Sequence, residues 1–208
     1  MISRGTVIAY HGIGDCSLEE DLYRLVRPTE TFEAQMRYLA RHRTVVPLDA
    51  LLGGSLQTER PAVAITFDDG YRSVLTEAAP ILERHGFPAV AFVPTRWLGD
   101  HMQWEKIDTP HPAFEIMGPE ELLEAEGRGI EIASHGHAHV NLRDAPDDVV
   151  RTEIDTSMRL LTEILGRPPR YLALRMSPLG NASYSLIGPA VRRSRQTGRS
   201  LARSLRRR

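Results

Sequence analysis

Short apolar segments alternate with longer amphipathic segments along the chain. This alternation predicts β-strands separated by α-helices, which is typical of a parallel sheet or a β/α barrel. Several of the short segments are almost continuously apolar, as expected of strands that are covered on both faces. The predicted strands are Thr6–Tyr10, Thr44–Val46, Ala62–Phe67, Ala89–Val93, Gly129–Ala133 and Tyr171–Leu174. The sequence therefore predicts an α/β fold.

Apolar residues that recur every three or four positions predict the helices between these strands. One helical face consists of Phe32, Met36 and Leu39. A second face consists of Val74, Ala78, Ile81 and Leu82. Pro80 lies within this second helix and is expected to bend it, because proline lacks an N–H donor.

The longest helix is predicted to run from about Pro146 to Leu165. Asp147 and Asp148 lie near its N-terminus, where the helix dipole favours negative charge, and Gly166 is the expected stop. Its predicted buried stripe is Val150, Ile154, Met158, Leu161 and Leu165.

Composition limits the classes to which the chain can belong. Its 208 residues allow one domain or two small ones, and 41% hydrophobic and 25% charged residues are ordinary for a soluble globular protein. Apolar runs are shorter than the ~18–20 residues of a membrane span, and the first residues lack a signal-peptide pattern, so a cytoplasmic location is expected. Cys16 is the only cysteine, so a metal would have to be bound by His, Asp and Glu.

Charge is distributed unevenly between the body of the chain and its C-terminal end. The formal net charge is −1, but Val191–Arg208 contains eight arginines and no acidic residue. Residues 181–208 are therefore predicted to form an Arg-rich, disordered tail. Such a tail could attract nucleic acid or anionic lipid by charge alone, but it offers no interleaved aromatic residue to stack on a base, and specific nucleic-acid binding is not expected.

Histidine and aspartate residues follow several of the predicted strands. His11 follows the first strand, Asp68 and Asp69 follow Ala62–Phe67, and a histidine-rich segment follows Gly129–Ala133. Because ligands of parallel α/β folds gather at the carboxyl ends of strands, these residues are expected to converge on one site.

The aspartate pair and two of the histidines are candidate metal ligands. Adjacent carboxylates repel each other unless a cation or a shared proton relieves them, although Asp-Asp-Gly is also a common turn sequence. His135 and His139 are four residues apart, which on a helical turn would place both imidazoles on one face, with His137 pointing elsewhere. Two imidazoles and one carboxylate are a common ligand set for a catalytic divalent ion, whereas a solvated histidine-rich turn is the alternative.

These residues resemble the motifs of the polysaccharide deacetylases, also called the NodB homology or carbohydrate esterase 4 family. Thr66-Phe67-Asp68-Asp69-Gly70 is identical to the first family motif, and the segment from His135 to His139 is similar to the second. The resemblance covers roughly residues 6 to 174. It implies a distorted, seven-stranded (β/α) barrel, incomplete at its C-terminus, with a deacetylase domain over residues 1–180.

The resemblance also implies a mechanism and a substrate class. Asp69, His135 and His139 would bind one divalent ion, with zinc expected and cobalt, nickel or iron as alternatives, and Asp68 would be the general base. The activity implied is hydrolysis of N-acetyl groups on a polysaccharide that contains N-acetylhexosamine, so the expected partner is a glycan. His11, Tyr71 and Pro178 are the candidate residues of the substrate groove.

Three features depart from the family pattern. Gly136 stands where the second motif has Ser or Thr, and Leu179 replaces the aromatic residue of the third motif. No histidine follows His139, so the late histidine that supplies the general acid in the family has no counterpart. One hypothesis is that the reading frame is interrupted near Leu174. The alternative function is accordingly an inactive remnant that binds metal or glycan.

Overall fold

The computed structural model describes residues 5–17, 19–21, 23–53, 56–104, 112–173 and 175. The strands of this part are β1 (Thr6–Tyr10), β2 (Gly12–Ile13), β3 (Val26–Arg27), β4 (Thr44–Val45), β5 (Ala62–Phe67), β6 (Ala89–Val93) and β7 (Ile130–Ser134). The α-helices are α1 (Thr29–His42), α2 (Leu48–Leu52), α3 (Ala79–His85), α4 (Pro119–Gly127) and α5 (Asp147–Leu165).

Five of these strands form one sheet, in which β5 is the central pairing element. The order is β1-β5-β6-β7, and β4 also pairs with β5. β1 runs parallel to β5 in a register that pairs Tyr10 with Phe67, and β4 and β6 are parallel to β5 as well. All residues of β5 and β6 are buried, as the continuous apolar runs predict.

Five of the six predicted strands are confirmed, with small shifts at the ends of two of them. β4 is one residue shorter than predicted, and β7 begins and ends one residue later. The predicted strand Tyr171–Leu174 is represented in the described residues by a single parallel bridge between Leu172 and Ser134. The pattern missed the two-residue strands β2 and β3, which pair with each other, because such short strands have no periodicity to detect.

The chain divides into two compact units, of which the first comprises Met1–Ala91 and Leu98–Ile132. Its core includes an aromatic cluster in which the ring of Phe32 on α1 lies 5.1 Å from the ring of Tyr10 and 5.9 Å from that of Phe67. Phe32, Met36 and Leu39 are all buried, so the predicted face of α1 is confirmed.

The second predicted helix consists of two segments around Pro80. Residues Val74–Ala78 form a π-helical turn, and the α-helix begins only at Ala79. Pro80 therefore lies in the first turn of α3, where a missing N–H leaves no intrahelical hydrogen bond unmade. The predicted face is buried as expected, since Val74, Ala78, Ile81 and Leu82 are each at most 3% exposed.

The second unit comprises Phe92–Trp97 and Ala133–Arg208, and its described part is dominated by α5. This helix ends where predicted, at Gly166, whose φ of 68° favours glycine. Its buried face, however, differs from the predicted stripe, because the most buried residues are Val150, Glu153, Ser157 and Leu161. Ile154 is only partly buried, against the core of Leu142, Ala145, Val150 and Leu172.

Among the described residues, none of the helices combines the length and apolarity needed to cross a membrane. The Arg-rich tail over residues 181–208 lies outside the described residues, as do Pro178 and Leu179.

Candidate metal centre

Asp68 and Asp69 directly follow β5, and the backbone around them is held by hydrogen bonds. The Asp68 N–H donates to the Tyr10 carbonyl at 2.8 Å, which continues the pairing of β1 and β5 past the end of the sheet. The Met117 N–H donates to the Gly70 carbonyl at 2.9 Å. Asp69 itself has a φ of 67°, a left-handed conformation that is uncommon for any residue except glycine. These anchors fix where the two carboxylates point.

Both aspartate side chains are almost completely buried. Asp68 is 1% exposed and Asp69 is 3% exposed. Burying carboxylates so deeply is costly unless they gain compensating partners or bind a cation. His11 lies beside this pair, with its Nε2 3.9 Å from Oδ2 of Asp68.

Tyr71 supports Asp69 from within the core. Its hydroxyl donates to Oδ2 of Asp69 at 3.1 Å and lies 2.9 Å from the sulfur of Met102. The side chain of Tyr71 is fully buried. Tyr71 therefore lies in the core, next to the Asp69 carboxylate. The sequence had instead suggested Tyr71 as a residue of the substrate groove. His11, the other groove candidate that the structure describes, is partly exposed beside Asp68.

Residues 135–139, which we call the histidine loop, follow β7. The two predicted ligands approach each other here, with their ring centroids 4.7 Å apart. The loop is not helical, so the predicted helical turn is wrong. The chain instead reverses through two left-handed residues, Gly136 with a φ of 85° and His139 with a φ of 61°. Glycine at position 136 suits this backbone, because a residue with a Cβ atom is strained at such an angle.

His135 is oriented by a backbone carbonyl. Its Nδ1 lies 2.9 Å from the carbonyl oxygen of Ala173, and its own N–H donates to the Val93 carbonyl at 3.0 Å. Because a carbonyl can only accept, Nδ1 carries the proton, and Nε2 is left with the lone pair that a metal requires.

His137 points away from the other two histidines, as predicted. Its Nδ1 lies 3.0 Å from the Thr95 hydroxyl. Burial lowers the pKa of His137 below its ordinary value, and Arg96 and Arg159 lower it further, whereas the Glu153 carboxylate opposes this shift. The lowered pKa favours the neutral form of the His137 imidazole.

Sequence reasoning missed the polar residues that support the histidine loop. Glu153 on α5 accepts hydrogen bonds from the N–H groups of His137 and Ala138. The Ser134 and Ser157 hydroxyl oxygens lie 2.7 Å apart, and Ser134 also accepts from the Gly136 N–H at 3.1 Å. The sequence did contain a signal for the buried polar residues of α5. Glu153 and Ser157 share the helical spacing of Val150 and Leu161 and thus interrupt an apolar face.

The three predicted metal ligands form one cluster. One ligand atom from each of Asp69, His135 and His139 lies within 4.8 Å of the other two, and all three residues are buried. Zinc bonds of ~2.0–2.2 Å place two ligand atoms of one ion at most ~4.4 Å apart, so this spread is close to what a single ion requires. One carboxylate and two imidazoles also suit zinc, cobalt, nickel and iron, so the donor set fits a divalent ion.

The sequence of the chain is similar to those of known deacetylases. The polysaccharide deacetylase family model matches residues 55–186. A Bacillus subtilis strain 168 protein designated polysaccharide deacetylase YxkH is 25% identical over 196 residues, which cover 92% of this chain and 62% of that protein. A chitin deacetylase of a Pestalotiopsis species is 26% identical over 136 residues, or 62% of this chain and 41% of that protein. The chain thus spans less than two thirds of either relative.

Solved structures show the same fold. The Streptococcus pyogenes deacetylase PplD, solved with acetate, has a TM-score of 0.68 and 21% identity, with 85% of this chain and 76% of that chain covered. IcaB from Ammonifex degensii has a TM-score of 0.70 and 21% identity, with 86% and 78% covered. These similarities confirm the predicted α/β fold of the deacetylase type.

Proposed function

The chain belongs to the polysaccharide deacetylase family, and from this premise we propose that it is a metal-dependent hydrolase that removes N-acetyl groups from a glycan. The proposed substrate is a polysaccharide that contains N-acetylhexosamine. The observation that carries the proposal is the buried cluster of Asp69, His135 and His139, which combines the ligand types of a catalytic divalent ion.

In this proposal Asp69, His135 and His139 bind one divalent ion, for which zinc is our first choice. When bound, such an ion supplies Lewis acidity, which lowers the pKa of water and polarises a carbonyl group. The hydrogen bond from Tyr71 to Oδ2 of Asp69 supports this assignment, because it orients the carboxylate. The contact between His135 Nδ1 and the Ala173 carbonyl supports it in the same way, because it directs Nε2 to the ion.

Asp68 is the proposed general base. It adjoins Asp69 in the sequence, and its carboxylate accepts the proton of the water that attacks the amide carbonyl. His11 lies 3.9 Å from Oδ2 of Asp68, so in its protonated form it would stabilise the Asp68 carboxylate by charge. Hydrolysis of the amide C–N bond would release acetate and leave a free amine on the sugar.

Acetate release from a chito-oligosaccharide tests this proposal. The purified full chain is loaded with zinc, and acetate is measured for the wild type and for Asp68→Asn. We expect Asp68→Asn to bind zinc as the wild type does but to be slower by ~10²–10⁴-fold, the usual contribution of a general base. A matched control is Glu163→Gln, since Glu163 is 59% exposed on α5 and forms an exposed ion pair with Arg159.

Two results would contradict the proposal in different ways. A zinc-loaded wild type that releases no acetate would favour the alternative, an inactive remnant that binds metal or glycan. An Asp68→Asn variant as fast as the wild type would refute the role of Asp68 without affecting the metal ligands.

A further inference from the structure

Glu153 is a buried acidic residue on α5, and its carboxylate faces the histidine loop. It is 4% exposed. Oε2 accepts a hydrogen bond from the His137 N–H at 3.0 Å, and Oε1 accepts one from the Ala138 N–H at 2.9 Å. Oε2 also lies 3.0 Å from the Ala138 nitrogen. The carboxylate thus binds two consecutive backbone N–H groups of the loop.

These hydrogen bonds explain why an acidic residue is acceptable in this buried position. Burying a carboxylate without partners costs several kcal/mol, whereas hydrogen bonds from N–H groups to a carboxylate are about twice as strong as bonds between neutral groups. The two N–H groups gain as well, because a buried N–H without an acceptor is itself destabilising.

The rest of the histidine loop is held mainly near its beginning. The N–H of His135 donates to Val93, and the carbonyls of Gly136 and His137 accept from the N–H groups of Thr95 and Arg96 at 3.2 and 2.9 Å. These contacts fix the backbone as far as residue 137. Glu153 extends the support to residue 138, directly before His139.

His139 depends on this support because its backbone is unusual. Its φ of 61° lies in the left-handed region, which costs a residue other than glycine roughly 1 kcal/mol or more. Without the Glu153 carboxylate, the N–H groups of residues 137 and 138 would lose their acceptor. The loop would then relax from this conformation after residue 137. The His139 imidazole would then move away from His135 and Asp69.

We propose that Glu153 is a positioning residue, which holds the histidine loop in the conformation that allows His139 to bind the metal ion. This inference rests on the proposed function, since it concerns the same site. It assigns a role in metal affinity to a residue of α5 that does not itself belong to the ligand cluster. Outer contacts that orient metal ligands typically contribute 10–100-fold to affinity.

The test compares the zinc affinity of three full-length variants by competition with a chelator. Glu153→Gln keeps the shape of the side chain but replaces one acceptor oxygen with an NH₂ group. This NH₂ group faces a backbone N–H of the histidine loop and cannot accept a hydrogen bond from it. We expect its Kd for zinc to rise ~10–100-fold. Glu163→Gln makes the same chemical change at an exposed position of α5, and its Kd should equal that of the wild type.

Leu161→Ala separates loss of stability from loss of positioning. Leu161 is fully buried on α5, so the substitution lowers the stability of the protein. We expect the Kd of the folded Leu161→Ala protein to stay within about twofold of the wild type, because distant sites act independently. A merely structural role for Glu153 would instead give Glu153→Gln and Leu161→Ala the same Kd.

Amide hydrogen exchange in the unmodified, metal-free protein gives a second readout that does not depend on whether a variant folds. The amides of His137 and Ala138 should exchange at least ~10-fold more slowly than that of the exposed residue Arg143, whose N–H donates to the Asn141 side chain in an exposed hydrogen bond. Equal exchange rates would overturn the inference, as would a folded Glu153→Gln variant with the Kd of Glu163→Gln. A wild type that binds no zinc would instead overturn the proposed function.

Discussion

Ser157→Ala tests whether the hydroxyl groups beneath the histidine loop form a directed chain of hydrogen bonds. Ser157 donates to the Ile154 carbonyl at 3.0 Å, so the proton between Ser157 and Ser134, whose oxygens are 2.7 Å apart, belongs to Ser134. Ser134 in turn accepts from Gly136. Both serines are fully buried. Removing the Ser157 hydroxyl would therefore leave the Ser134 O–H without this acceptor.

The expected magnitude follows from two opposing contributions. A buried donor that loses its acceptor costs about 1–3 kcal/mol, which we take as about 2 kcal/mol. Alanine has a higher helix propensity than serine, which offsets roughly 0.5 kcal/mol. The net loss in the free energy of unfolding is about 1.5 kcal/mol. For a chain of this size, this corresponds to a Tm lowered by roughly 3–6 °C.

The assay is urea denaturation of the metal-free protein, with Thr152→Ala as the matched control. Thr152 lies on the same helix, and its hydroxyl donates to the Asp148 carbonyl at 2.9 Å in an exposed position. Thr152→Ala should change the free energy of unfolding by less than ~0.5 kcal/mol. The reasoning is refuted if Ser157→Ala is as stable as Thr152→Ala.

Two further substitutions test other parts of the site. Gly136→Ala should lower the free energy of unfolding by about 1 kcal/mol, because the φ of 85° at this position strains any residue with a Cβ atom. Thermal melts measure this change, and an unchanged Tm would contradict the prediction. Tyr71→Phe should raise the Kd for zinc roughly 10-fold in chelator competition, because it removes the hydroxyl that orients Asp69. A Tyr71→Phe protein with the wild-type Kd would show that Asp69 needs no such support.

The strands could be predicted from the sequence because burial on both faces leaves a clear pattern. Ala62–Phe67 and Ala89–Val93 are almost entirely apolar and have the predicted bounds. The carboxyl end of Ala62–Phe67 also indicated where Asp68 and Asp69 would lie. Local sequence was sufficient here, because the position of a residue directly after a buried strand follows from the strand itself.

The histidine loop could not be predicted in the same way. His135 and His139 do come together, but through left-handed backbone at Gly136 and His139 and not through a helical turn. That conformation depends on the Thr95 N–H, which donates to the Gly136 carbonyl, and on the Glu153 carboxylate, which accepts from the Ala138 N–H. Both residues are distant from the loop in the sequence.

The buried face of α5 was mispredicted for a related reason. Apolar periodicity favoured Ile154 and Met158, whereas Glu153 and Ser157 are buried in their place. These polar residues are stable in the interior because Glu153 accepts hydrogen bonds from the histidine loop and Ser157 forms one with Ser134. Hydrophobic patterning cannot detect such hydrogen-bond partners.

The most direct test of the central claim is the metal content of the purified protein after zinc loading and removal of loosely bound ions. The account predicts one zinc ion per wild-type chain, and no retained zinc in Asp69→Ala, His135→Ala and His139→Ala proteins that are still folded. Zinc retained by all three variants at the wild-type level, or a wild type that retains none, would contradict it.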